Sequence, residues 1–334
     1  MERAIDSQND VPRTPSPWPS ILRAVVLRLF YGILSLIFIS FVVFIADELA
    51  PGDAANVLAG DKATAAQLES LRHQMGLDRP WPIRYVEFLG NAAKFDFGKS
   101  YFGTKRPVGE LLAEKLPLTA LIALCAIVVA SAVGIGLGTI AGIYRTRPPD
   151  TAILLASTLG VTIPTFVLAP IMVYYFSTVK DVLPATWDPN PTAPIWMYLL
   201  MPVLILAARP AALLTRLTRA SMIETLQQEF IRTAIAKGVP FRQLIFRHAL
   251  RNAILPVITV IGTSFGFLLT GSFVLETVFT IPGIGQDGIE AILQGDMPRV
   301  QGIVMVTGAM FVILNLIVDI LMPLLDPRIR EAQV

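Results

Sequence analysis

From position 118 to position 143 the chain carries 26 consecutive residues without a charged side chain. At 1.5 Å of rise per residue a helix of that length spans about 39 Å, more than the ~30 Å of a bilayer's hydrocarbon core. Nothing constrains the fold more, because in lipid the backbone must satisfy its own polar groups, which leaves helices or a closed barrel. The run shows no period-2 alternation, so it reads as a helix. Five more uncharged or nearly uncharged runs accompany it, at 29–46, 151–179, 195 to about 215, 252–275 and 300–318. Pro164 and Pro170 kink the third span, and Arg209 with Pro210 interrupts the fourth. The expected fold class is an all-α integral membrane protein with six transmembrane helices.

Composition agrees. Hydrophobic residues make up 54% and charged residues 16%, against about 45–50% and 25% in soluble domains. A formal charge of +2 is too small to point to nucleic acid. Cys125 is the single cysteine, which excludes an intramolecular disulfide, and His73 and His248 lie far apart in sequence, so no Cys/His metal site is expected.

Charge sets the orientation. From Arg209 to Arg251 there are eight Lys or Arg against two acids, the mark of a cytoplasmic loop. The turn at Arg145 and Arg147 is basic as well, whereas residues 180–197 hold one Lys and 276–299 only Arg299. Six spans then place both termini in the cytoplasm. Residues 1–22, with Pro12, Pro15, Pro17 and Pro19, read as a disordered cytoplasmic arm rather than a signal peptide. Residues 23–46 are the first transmembrane helix and 47–116 an external helical region. A transmembrane core follows at 117–322, with its cytoplasmic loop at 216–251, and residues 323–334 form a cytoplasmic tail. In the external region Thr64 and Gln67 form a capping box for a helix that stops at Gly76, and a second amphipathic piece occupies 83–93 after Pro80 and Pro82. Small residues recur every four positions at Gly134, Gly138 and Gly142, and at Gly262 and Gly266, a spacing that lets helices approach closely in lipid. Sequence leaves open whether those stripes pack within the subunit or between subunits.

Within the basic loop, residues 229–237 contain no Gly or Pro, Gly238 and Pro240 stop the helix, and another begins near Phe241. Helix, glycine elbow and helix make a projecting knob bearing Arg232, Lys237 and Arg242, with Phe230, Ile231 and Phe241 beside them. The knob resembles the EAA coupling loop of ABC-importer permeases, whose pattern is Glu-Ala-Ala, three residues, Gly, nine residues, Ile-x-Leu-Pro. Here the pattern falls on Arg232-Thr233-Ala234, Gly238 and His248-Ala249-Leu250-Arg251, departing at Arg232, Thr233, His248 and Arg251. The strings RTAIAKG and RHALRNAILP are similar to those of the dipeptide, oligopeptide and nickel branch. Further similarity lies in Leu49-Ala50-Pro51-Gly52-Asp53, Gly76-Leu77-Asp78, Asp96-Phe97-Gly98-Lys99-Ser100, Glu276-Thr277-Val278-Phe279, Pro282-Gly283-Ile284-Gly285 and Asp326-Pro327-Arg328-Ile329-Arg330. It covers Arg23 to Arg330.

The resemblance implies a permease paired with a homologous second permease, two ATP-hydrolysing subunits and an external solute-binding protein, in the cytoplasmic (inner) membrane. It assigns contact with the ATPase to Glu229, Arg232, Thr233, Ala234, Lys237, Gly238, Arg242 and His248. Binding-protein contact falls to Pro282, Gly283, Ile284 and Gly285, a rigid turn projecting towards the translocation mouth, with a cap on the bundle as its equal alternative. Arg209, set about 21 Å along its span, is the candidate pathway residue. The chain itself is expected to hold no cofactor, ATP and Mg being bound by partner subunits, and no metal. It lacks a Walker-type phosphate loop and an HExxH pattern, and neither histidine sits where a membrane Ser–His pair is plausible. Intramembrane carboxylates are scarce, Asp319 at the inner boundary being the one candidate. A stand-alone secondary carrier or channel is the alternative.

Overall fold

The computed structural model describes residues 18–49, 54–59, 63–103 and 105–325. Most of the proposed arm, Ala50–Asp53 of the first external motif and the tail motif at 326–330 lie outside the described residues, as does the side chain of Asp319. Fourteen α-helices follow one another among those described: α1 (Trp18–Leu49), α2 (Ala54–Ala59), α3 (Ala65–Gln74), α4 (Trp81–Ala92), α5 (Val108–Ile143), α6 (Pro148–Thr162), α7 (Thr165–Val173), α8 (Ile195–Leu226), α9 (Glu229–Ala236), α10 (Phe241–Gln243), α11 (Leu250–Ala253), α12 (Leu255–Val278), α13 (Ile284–Gln294) and α14 (Met297–Leu325). Wider π-helical turns continue α7 through Tyr174–Val179 and join α10 to α11 through Leu244–Ala249.

Four helices, α1, α5, α8 and α14, are each long and apolar enough to cross a membrane. Two bent pairs of helices are long and apolar enough together to cross as well, and counting each as one span gives the expected six. One joins α6 to Thr165–Val179 at 101°, the other joins Phe241–Ala253 to Leu255–Thr270 at 55°. The first bend far exceeds a proline kink. Ile163 precedes Pro164 and is pushed out of the helical region to ψ 117°, so the helix ends there and restarts. Pro170, by contrast, sits inside α7 without breaking it.

Two expected boundaries were too short. Helix α5 begins at Val108 and carries Pro117 within it, and α8 runs on to Leu226 past both Pro202 and Pro210. Uncharged runs mark the stretch suited to lipid, whereas these helices continue beyond it into segments that carry charge, with Glu110, Glu114 and Lys115 in α5 and Arg216, Arg219 and Glu224 in α8. Helix α1 likewise starts at Trp18, inside the stretch expected to be disordered.

Both glycine stripes pack within the subunit. A β-carbon on Gly134, Gly138 or Gly142 would come within 2.6 Å of the β-carbon of Leu214, Thr218 or Met222 respectively, so α5 and α8 touch almost backbone to backbone. Gly262 and Gly266 receive Val318 and Phe311 of α14 in the same way. The run Gly262-Thr263-Ser264-Phe265-Gly266 also spells the GxSxG of a nucleophile elbow. It is uninterrupted helix inside α12, so its glycines serve packing rather than catalysis.

The main core gathers Ile122, Met201, Ile205, Leu214, Leu275, Phe279 and Ile281. Helix α1 lies at the edge, with Phe30, Ile33, Phe38 and Phe41 exposed, a face suited to lipid and not to water. At the end away from the knob, α3 carries the expected capping box of Thr64 and Gln67. Helix α4 starts at Trp81, with Pro82 in its first turn, where a missing N–H costs nothing. It is tied to α1 by Tyr85 Oη, 2.9 Å from Ser40 Oγ, and by the Arg84–Glu48 pair at 2.6 Å.

Candidate functional site

The knob is built from α9 inwards. Its eight residues are fewer than the ~12–15 an isolated helix needs, so tertiary packing must hold it. Ile231 and Ala234 supply that hold, buried against Met222, Leu244, Ile245, Ala249 and Ala253. This overturns the expectation that Ile231 lies on the presented surface, and Ala234, expected at the contact, has its methyl turned into the protein. Arg232 and Thr233 are exposed on the opposite face, flanked by exposed Phe230, Ile235 and Lys237. Arg232 reaches back to Glu229 at 2.9 Å, an exposed i,i+3 pair that contributes little stability.

The elbow is a Schellman motif. Gly238 N–H donates to Ile235 O at 2.9 Å and Val239 N–H to Ala234 O at 3.2 Å, with Gly238 at φ +73°. A β-carbon on Gly238 would meet nothing within 4 Å. Glycine is therefore required by conformation and not by crowding. Arg242 is exposed at the start of the returning helix, while His248 is half-buried in its π-helical turn.

The root of the knob is clamped. Asp150, buried at the start of α6, accepts Thr146 N–H at 2.8 Å and a second bond from Arg219 Nη2 at 2.8 Å. The α5–α6 turn is thereby fixed to α8, two turns before that helix ends. Arg219, counted in the sequence among the loop's surface charges, is spent on this pair.

At the opposite end, Pro282-Gly283-Ile284-Gly285 does not project. Only Pro282 is exposed. The turn forms the buried N-terminus of α13, where Glu276 Oε2 accepts Gly285 N–H at 2.6 Å and Gln286 N–H at 3.3 Å. Ile284 N–H donates to Thr119 Oγ1 at 3.0 Å. A side chain on Gly283 or Gly285 would strike the Glu276 carboxylate. The carboxylate answers the orphan N–H groups and positive end of a helix dipole, making the turn a cap locked into the bundle. Downstream, Asp287 pairs with Lys115 and Arg299, and Asp296 with Arg299 at 3.6 Å. Asp296 also receives Ser100 Oγ–H and Tyr101 N–H. Burial, with the charges of Asp47 and Asp296, pushes the Tyr101 phenol above its ordinary value.

Sequence comparison decides what this two-ended bundle is. Residues 134–331 match the family described as binding-protein-dependent transport system inner membrane component, and residues 21–123 match the N-terminal part of such membrane components. The chain belongs to this family. It is 35% identical over 310 residues to the glutathione transport system permease protein GsiC of Escherichia coli (strain K12), covering 93% of this chain and 99% of that one. A putative peptide transport system permease protein of Brucella abortus (strain 2308) is 37% identical over 309 residues, covering 92% and 98%. The chain is the membrane permease of an ABC importer, and the stand-alone carrier is set aside.

In this permease Arg209 is exposed on α8 with no bonding partner among the described residues, and Pro210 beside it is buried. Leu213 and Arg216 are exposed one and two turns further along, so Arg209 belongs to a basic stripe on that helix. Sequence reasoning missed Glu276, Asp150 and the Asp287–Arg299 pair as structural carboxylates. Glu276 did fall within a motif quoted for the resemblance, but as a loop residue, because the apolar run ends at Leu275.

Proposed function

We propose that this permease pairs with a homologous second permease to form a pathway for short peptides or similar carboxylate-bearing solutes, delivered by an external binding protein and driven by two ATP-hydrolysing subunits docked on the knob. ATP and Mg belong to those subunits. The observation that carries the reading is the exposed face of α9, with Phe230, Arg232, Thr233, Ile235 and Lys237 presented together on a helix held from behind. Apolar and cationic groups side by side on a rigid helix suit a partner groove. Gly238 sets the angle of that helix. Glu229 and Arg232 brace each other and are free to exchange partners.

The knob side is read as cytoplasmic from its excess of Lys and Arg, which puts both termini there. The helical layer and α13 then face the binding protein. With Pro282 to Gly285 locked inside, the exposed surface for that contact is Ile292 and Leu293 at the far end of α13. Arg209 is proposed to face the pathway, where a guanidinium in a low-dielectric setting would attract a solute carboxylate. The support for peptide-like solutes is the naming of the relatives, glutathione itself being a tripeptide. Uptake of a labelled peptide into proteoliposomes tests the reading. Uptake should require internal ATP, the ATPase subunits and the loaded binding protein together. Uptake by the permeases alone would overturn it.

A further inference from the structure

A groove of about 570 Å³ opens between the knob-side half of α5 and the helix that returns from the knob. Its α5 wall is Ala132, Gly136, Ile140 and Ile143, and its other wall includes Phe241, Arg242 and Phe246. Gly136 stands apart from the neighbouring glycines. Gly134, Gly138 and Gly142 are each pressed against α8, yet a β-carbon on Gly136 would meet nothing within 4 Å. From Ala132 to Ile143 the wall rises about 16 Å, close to the hydrocarbon depth of one leaflet. Phe241 and Phe246 are exposed beside it. Arg242 opens the returning helix, so it sits at the end of the groove nearest the knob, exposed and without an acidic partner among the described residues. No acidic residue lines the groove.

We propose that this groove binds an anionic phospholipid of the knob-side leaflet, one acyl chain lying along Gly136 and Ile140 and the phosphate on the Arg242 guanidinium. An apolar channel of one leaflet's depth, open to the bilayer and ending in a lone cation, is complementary to that molecule in length and in charge. A transmembrane helix of a second subunit would match the apolar wall but gives no reason for an unpaired guanidinium at its end. The assignment moves Arg242 from the ATPase contact that the resemblance implies to the membrane surface, and leaves that contact to the outward face of α9. It places a lipid against the π-helical turn Leu244–Ala249 that follows the knob.

Native mass spectrometry of the purified transporter, titrated with phosphatidylglycerol or phosphatidylcholine, tests this. One phosphatidylglycerol per copy of this chain should be retained roughly tenfold more tightly than phosphatidylcholine, whose choline cation offsets the phosphate charge and repels the guanidinium. Arg242→Gln should remove the preference, and Gly136→Phe, which has open space to enter, should expel both lipids while the subunits stay assembled. An unchanged preference in Arg242→Gln would overturn the proposal. So would loss of the second permease from the Gly136→Phe complex with lipid binding intact, since the groove would then be a helix interface.

Discussion

Replacing Gly238 separates the conformational role of the elbow from any steric one. At φ +73° a side chain bearing a β-carbon costs about 1–2 kcal/mol, and the empty space around the site adds nothing. Against this stands the hold on α9, chiefly burial of Ile231, which contributes about 2–3 kcal/mol. The strain thus removes a large part of what keeps α9 seated, and raises its detached population by about 5–30-fold. Gly238→Leu and Gly238→Ala should both reach the membrane at normal levels and both transport at a clearly reduced rate, while ATP hydrolysis persists with weakened stimulation by loaded binding protein. Gly238→Asn should keep most activity, because Asn tolerates the left-handed region. The assay is coupled uptake and hydrolysis in proteoliposomes. Wild-type transport by the Ala and Leu variants would refute the reasoning. A severe Leu variant beside an active Ala variant would show that crowding against a partner matters, and not φ.

Further outcomes follow from the packing. Gly138→Leu should prevent accumulation of folded protein, because its β-carbon would sit 2.5 Å from that of Thr218; Gly136→Leu should accumulate normally, as membrane immunoblots would show. Glu276→Gln keeps one acceptor but buries an amide N–H where Glu276 Oε1 has no partner, at a cost of about 1–3 kcal/mol, visible as a lowered melting temperature with α13 more open to hydrogen exchange. Arg209→Lys should impair uptake of a free-carboxylate peptide more than of its amidated analogue. Equal, near-normal uptake of both would remove Arg209 from the pathway.

Much of this was legible because lipid restricts the alphabet. Uncharged runs located the four long apolar helices and both bent pairs, and Gly238 with Pro240 located the elbow, since each reports a local physical constraint. What escaped was of two kinds. Helix ends at Val108 and Leu226 lie outside the apolar runs, and are held by packing that hydropathy does not register, Val108 with Ile284 and Ile303 and Leu226 with Met222 and Ile231. Buried carboxylates escaped, because the partners that bury them come from afar: Glu276 caps residues nine and ten positions on, and Asp150 finds Arg219 across 69. For Pro282 to Gly285 a projecting turn and a cap stood as equal readings, and the two glycines flanking Ile284, which admit the Glu276 carboxylate, favour the cap. Ile231 and Ala234 were legible in principle, since three-residue spacing puts both on one face of α9.

The central claim is that the exposed face of α9 meets the ATPase. Cys125 is the only native cysteine, so Cys125→Ala gives a clean background for a single Ala236→Cys on the exposed side of the knob and, separately, Leu293→Cys at the far end of α13. Crosslinking in native membranes is the direct measurement. Ala236→Cys should join the ATPase subunit, with a yield that changes when ATP is trapped, and Leu293→Cys should not. Crosslinking of the ATPase from Leu293→Cys, or its absence from Ala236→Cys in a complex still competent for uptake, would contradict the account.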